Sequence, residues 1–104
     1  MTNCLVYMTA ASKEEARLIG TALVEERLAA CANVIDGVTS VYRWEGKVEC
    51  NDEAVLIAKT REELVPALTE RVKALHAYTC PCVVAIPIAG GNGDFLDWIA
   101  AETV

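Results

Sequence analysis

The residues best equipped for chemistry gather late in the chain, where His76, Tyr78, Cys80 and Cys82 fall within one short stretch. Cys80-Pro81-Cys82 sets two thiols at i and i+2, on one side of an extended segment, where they would grip a soft cation if a third ligand were near. The plainer reading makes the same cysteines small buried hydrophobes at the entry to an apolar strand. His76 is the lone histidine and suits either the C-terminal cap of a helix or a ligand or pocket role. Lys59 follows an apolar run, as a solvated strand end or as a cationic pocket residue. Tyr42 and Trp44 lie near the tip of a hairpin, where aromatics serve interface packing more often than ligand stacking. A thiolate of Cys80 or Cys82 beside His76 has the outline of a nucleophile and base. No third orienting group is recognisable, so the expectation is binding and not an enzyme.

Periodicity supplies the elements that would position these groups. Asn3 to Thr9 is a short strand-like run, and Ser12-Lys13-Glu14-Glu15 has the form of a capping box that starts a helix. Ala16, Ile19, Gly20 and Leu23 then share one face, and the amphipathic pattern runs to about Leu28. Ala32 to Trp44 reads as a long strand broken by a bulge or bend at Asp36-Gly37. After a turn at Glu45-Gly46-Lys47, Val48 to Thr60 returns as a second long strand whose Ala54 to Ala58 segment is apolar throughout. Arms of this length exceed the usual strand of about five or six residues, so the hairpin tip should project beyond the body. Leu64, Leu68, Val72 and Leu75 form the stripe of a second helix. Thr60 to Glu63 offers it a cap, but Pro66 favours a later start. Cys82 to Pro87 is the last strand, Gly90 to Gly93 a turn, and Asp94 the cap of a short terminal helix bearing Phe95, Leu96, Trp98 and Ile99.

This order of elements predicts an α+β fold: a ferredoxin-like split βαβ sandwich, with both helices on one face of the sheet, a long hairpin and a C-terminal helix. The whole chain, residues 1–104, is expected to be one domain. With 54% hydrophobic residues and a mean hydropathy of +0.30, disorder is excluded. So small a domain cannot hide that much apolar surface by itself. The central strand is apolar on both sides, so copies of the chain should cover the bare sheet face for one another.

The same composition removes several functions. A net charge of −6, with Lys and Arg scattered singly, opposes nucleic-acid binding. The third strand, Glu53 to Thr60, has no aromatic on which a base could stack. The first strand–helix loop, Thr9 to Ser12, lacks the Cys-x-x-Cys of a metallochaperone of this topology, and no phosphate loop opens either helix. No run reaches the roughly 20 apolar residues of a membrane span, and the N-terminal segment is wrong for a secretory signal. Five cysteines at irregular spacing fit free thiols and a reducing compartment. The expected location is cytoplasmic.

Several separated motifs together resemble the CutA, or divalent-cation tolerance, family: Leu28 to Asn33, Gly37 to Lys47, Ile57 to Thr60, Leu75 to Tyr78, Ile86 to Ile88 and Gly93 to Ile99. The resemblance implies a tight homotrimer like the PII signalling proteins, hairpins that pair across subunits, tolerance of divalent metals and, in some members, copper binding. Copper-binding relatives use a cysteine before the Thr-Ala of the first strand and a histidine pair before Pro-Tyr. The corresponding residues here are Met8, Leu75 and His76. His76-Ala77-Tyr78-Thr79-Cys80-Pro81-Cys82 also lacks the acidic residues of the family segment and gains a thiol. Expected metal ligands are therefore His76, Met8, Cys80 and Cys82, for copper or zinc. Lys59, Tyr78 and Trp44 are the expected ligand-binding residues of inter-subunit clefts, and Tyr42, Trp44 and Trp98 the expected interface residues. The alternatives are a PII-like sensor that takes a small anionic metabolite near Lys59, and a purely structural trimeric scaffold.

Overall fold

The computed structural model describes residues 2–104. Its elements are β1 (Asn3–Ala10), α1 (Lys13–Glu25), β2 (Cys31–Trp44), β3 (Lys47–Arg61), α2 (Val65–Leu75), β4 (Val83–Pro87) and α3 (Gly93–Glu102). The strands form one antiparallel sheet in the order β2-β3-β1-β4. The result is an α+β fold with the element order read from the sequence.

Alternation along the strands gives the sheet two unlike faces. Cys4, Val6, Met8 and Ala10 pair with Thr60, Ala58, Leu56 and Ala54, and all eight are buried. Onto this side α1 lowers Ala16, Ile19 and Leu23, and α2 lowers Leu68 and Val72, to complete the core. The close approach of α1 depends on Gly20, where a Cβ would stand 3.1 Å from Leu56 Cδ1 and 3.3 Å from the Ala32 Cβ. The opposite face carries Tyr7, flanked by Ile57 on β3 and Val84 on β4, with Ile35 beside Val55 and Ile86 beside Leu5. Its centre is apolar too, yet Tyr7, Ile35, Val84 and Ile86 are 37%, 48%, 52% and 49% exposed. α3 is anchored at one end of the sheet, where Asn3 Nδ2 donates to Leu96 O and Arg61 Nε to Thr103 Oγ1. Phe95 and Trp98 remain exposed there, with ring centroids 5.3 Å apart.

β2 and β3 run far past the helices, and the chain measures 44 Å along its longest axis. The turn at the tip comprises Glu45 and Gly46 alone, both at positive φ, while Lys47 already pairs with Trp44. Two left-handed residues in a two-residue loop match the twist of the arms. The expected bulge lies between Ile35 and Val38, with Gly37 at φ 73° and its N–H bound by Asp36 Oδ1.

Other boundaries differ from expectation. α1 stops at Glu25, short of Leu28, because Arg27 turns left-handed at φ 59°. The Leu28 N–H then reaches Leu23 O and the Arg27 N–H reaches Val24 O, a helix stop of Schellman type without glycine. Arg27 also donates to Ala101 O and Glu102 O, capping the end of α3. Thr60 caps nothing: it is buried in β3 and its hydroxyl donates to Leu28 O. A 3₁₀ turn, Glu62–Leu64, intervenes before α2, which places Pro66 in the first turn, where its missing N–H does no harm. At α3 the capping oxygen belongs to Asn92, which accepts from the Asp94 N–H, and Gly93 already belongs to the helix. β4 begins at Val83, one residue after Cys82.

Candidate functional site

On the apolar, unshielded side, where β2 and β3 leave the body, lies a cavity of about 450 Å³ lined by Thr9, Ser40, Tyr42, Trp44, Glu53, Tyr78, Thr79, Cys80 and Cys82. The hairpin register explains the gathering. Val38 pairs with Glu53 on the tip side of the bulge, so Ser40, Tyr42 and Trp44, at steps of two, face the same side as Glu53. Residues 78–82, between α2 and β4, form the other wall.

That wall is tied down from behind by two side chains. Ser12 Oγ accepts from the Glu15 N–H as the capping box requires. The Glu15 carboxylate, however, reaches past Ser12 to accept from the Ala11 N–H at 2.9 Å and the Ala77 N–H at 3.0 Å. His76 is the C-terminal cap residue of α2, and its N–H donates to Val72 O. Its buried ring reaches away from that helix. Nε2 lies 2.8 Å from Thr9 O, which can only accept, and Nδ1 lies 3.1 Å from the Tyr78 N–H, which can only donate. These partners select the neutral tautomer protonated at Nε2, and both ring nitrogens are occupied. The ring also packs on Tyr78, with centroids 4.6 Å apart.

Inside the cavity the Tyr78 hydroxyl donates to Glu53 Oε2 at 2.7 Å. Burial first, and then the hydrogen bond and charge of Glu53, push the Tyr78 phenol far above its usual value. The Cys82 thiol is also raised, by burial and by the Glu53 carboxylate, with a hydrogen bond to Thr9 acting against them. Cys80 is exposed, Cys82 half-buried, and all five cysteines are free.

The structure therefore unites Tyr42, Trp44, Tyr78, Cys80 and Cys82 and leaves other expected site residues elsewhere. Met8 is 1% exposed in the core beneath the helices, on the far face of the sheet from Glu53. Lys59 lies farther along β3 and donates to Asn33 Oδ1; it does not line the cavity. Trp98 belongs to α3, at the end of the sheet held by Asn3 and Arg61. Among the described residues no three or more His, Cys, Asp or Glu side chains converge to hold a metal. Glu53 and Glu15 were missed in the sequence. The former was accessible from hairpin arithmetic, since a two-residue turn at Glu45-Gly46 sets position 53 opposite 38, before the bulge is reached.

Comparison with known proteins points one way. The family model described as CutA1 divalent ion tolerance protein matches residues 4–102. A divalent-cation tolerance protein CutA of Thermus thermophilus is 54% identical over 99 residues, 95% of this chain and 96% of that protein. A chloroplastic CutA 1 of rice is 48% identical over 95% of this chain, which spans only 56% of the longer relative. Among solved structures, the Thermus thermophilus protein superposes with a TM-score of 0.96 at 52% identity, covering 98% of this chain and 99% of that one. A periplasmic CutA of Archaeoglobus fulgidus gives 0.93 at 45% identity, covering 96% and 97%. Chloroplast and periplasm in these names lend no support to a cytoplasmic location, and no helix among the described residues is long and apolar enough to cross a membrane. With the family match spanning nearly the whole length and relatives near half identical, the chain belongs to the CutA1 divalent ion tolerance protein family.

Proposed function

We propose that the chain acts as a homotrimeric, PII-like divalent-cation tolerance protein of ferredoxin-like fold, which binds a soft metal ion and does not catalyse turnover. The exposed apolar face formed by Tyr7, Ile35, Val84 and Ile86 supports self-association, because such a patch on a small domain gains by being covered. The number three follows from the family resemblance. The cavity adjoins this face, so neighbouring copies would close it into an inter-subunit cleft.

The observation that carries the metal reading is that Cys80 and Cys82 line one cavity with a carboxylate and, among the described residues, no lysine or arginine. Two thiols suit copper(I), a soft ion, better than a hard one. A structural zinc site takes four ligands, more than one chain gathers here, so zinc would need donors from a second copy. His76 then acts as a strut that positions the thiol-bearing segment. Met8 has no direct part.

Competition against a chromogenic copper(I) chelator under reducing conditions tests this reading. Cys80→Ser/Cys82→Ser should weaken binding at least about tenfold, while Met8→Leu leaves it unchanged. Because the raised Cys82 thiol must lose its proton to ligate, affinity should rise with pH up to the folded thiol pKa and fall as the solution is acidified. Equal affinity in the double serine variant and the wild type would refute the thiol site.

A further inference from the structure

The remainder of the cavity has a chemistry that thiols do not explain. Tyr42, Trp44 and Tyr78 give it aromatic walls, Ser40, Thr9 and Thr79 add small polar groups, and Glu53 is the one carboxylate among the described residues that line it. Glu53 is 8% exposed, and the one oxygen for which a partner is seen, Oε2, takes the Tyr78 hydroxyl. That hydroxyl stays protonated across the physiological range and so keeps donating. Lys59 turns to Asn33 on another part of the sheet, and among the described residues neither Lys nor Arg lines the cavity.

A carboxylate held in a half-enclosed apolar site attracts positive charge and repels anions. Aromatic faces add attraction for a cation, and more so when it is desolvated. A volume of about 450 Å³ lies within the roughly 300 to 1,000 Å³ typical of sites for small organic molecules. The geometry points to a binding site for a small organic ammonium ion, its apolar body against Trp44, Tyr42 and Tyr78 and its charged nitrogen directed to Glu53. The residues named all come from one chain, to which a neighbouring copy would add the closing wall, and none of them is a thiol or needs a metal. An acid entering this cavity would meet Glu53, so an anionic metabolite is not its expected occupant.

Three probes of one size and different charge test the proposal: 2-phenylethylammonium, neutral 2-phenylethanol and anionic phenylacetate. Each is titrated calorimetrically into the full chain with a metal chelator present and thiols reduced. The expected result is binding of the ammonium probe at least about tenfold tighter than either of the others. Glu53→Gln, which keeps an acceptor for the Tyr78 hydroxyl, should erase that preference, and Cys80→Ser/Cys82→Ser should preserve it. The wild-type ranking is informative even if a variant folds poorly. Equal or tighter binding of phenylethanol or phenylacetate, or no heat from any probe at millimolar concentration, overturns the proposal. Loss of copper affinity in the double serine variant with the ammonium preference intact would show the two sites to be independent.

Discussion

Tyr7 and Met8 are neighbours in one strand, yet they belong to two different environments. Met8 is 1% exposed among the side chains of α1 and α2, whereas Tyr7 is 37% exposed on the other side of the same sheet. Both faces carry large apolar side chains, but α1 and α2 cover only one of them. The difference separates what a single copy stabilises for itself from what it leaves for a partner or a ligand. Every residue lining the cavity from the strands, namely Thr9, Ser40, Tyr42, Trp44 and Glu53, lies on the side without helices.

Substitutions on the two faces should separate accordingly. Leu56→Ala removes a side chain 1% exposed at the centre of the helix-covered core. It should lower stability by about 2–5 kcal/mol, the range for opening a cavity in a packed interior. Ile86→Ala, on the other face, should leave the packing of one copy nearly intact and raise the concentration needed for assembly. Denaturant unfolding at two protein concentrations distinguishes these effects. A loss of equal size and equal concentration dependence at both sites would erase the contrast.

A smaller effect is expected at the hinge between the faces. His76→Ala strips partners from Thr9 O and the Tyr78 N–H and should cost about 1–3 kcal/mol. It should also loosen the wall that carries Tyr78, seen as faster amide exchange over residues 77–82. Copper(I) affinity, as a readout of ligation and not of support, should fall less than in the double serine variant. A deeper loss would return His76 to the ligand set.

The sequence disclosed features whose causes are local. Ser12 caps α1 because the box of Ser12 and Glu15 is read within one turn. The bulge at Asp36-Gly37 follows from a glycine in a strand, and the apolar run in β3 from burial on a central strand. Features fixed by distant partners were hidden. Thr60 looked like a cap because nothing nearby reveals that its hydroxyl turns to Leu28 O. Arg27 ends α1 in a conformation usually given to glycine, tied to the last turn of a helix at the far end of the chain. The ring of His76 was open to either role in the sequence, and the partner that decides it, Thr9 O, stands 67 residues away. Glu53 went unnoticed beside Asp52 at the edge of an apolar run, although the period of the strand places it on the same face as the hairpin aromatics.

The claim that the helix-free face is made to be shared has a direct test in sedimentation equilibrium of the full chain at micromolar concentration. The account predicts the mass of three copies, with Ile86→Lys, a charge set on that face, shifting the distribution toward single chains. Folded single copies of the unaltered protein at that concentration would contradict it.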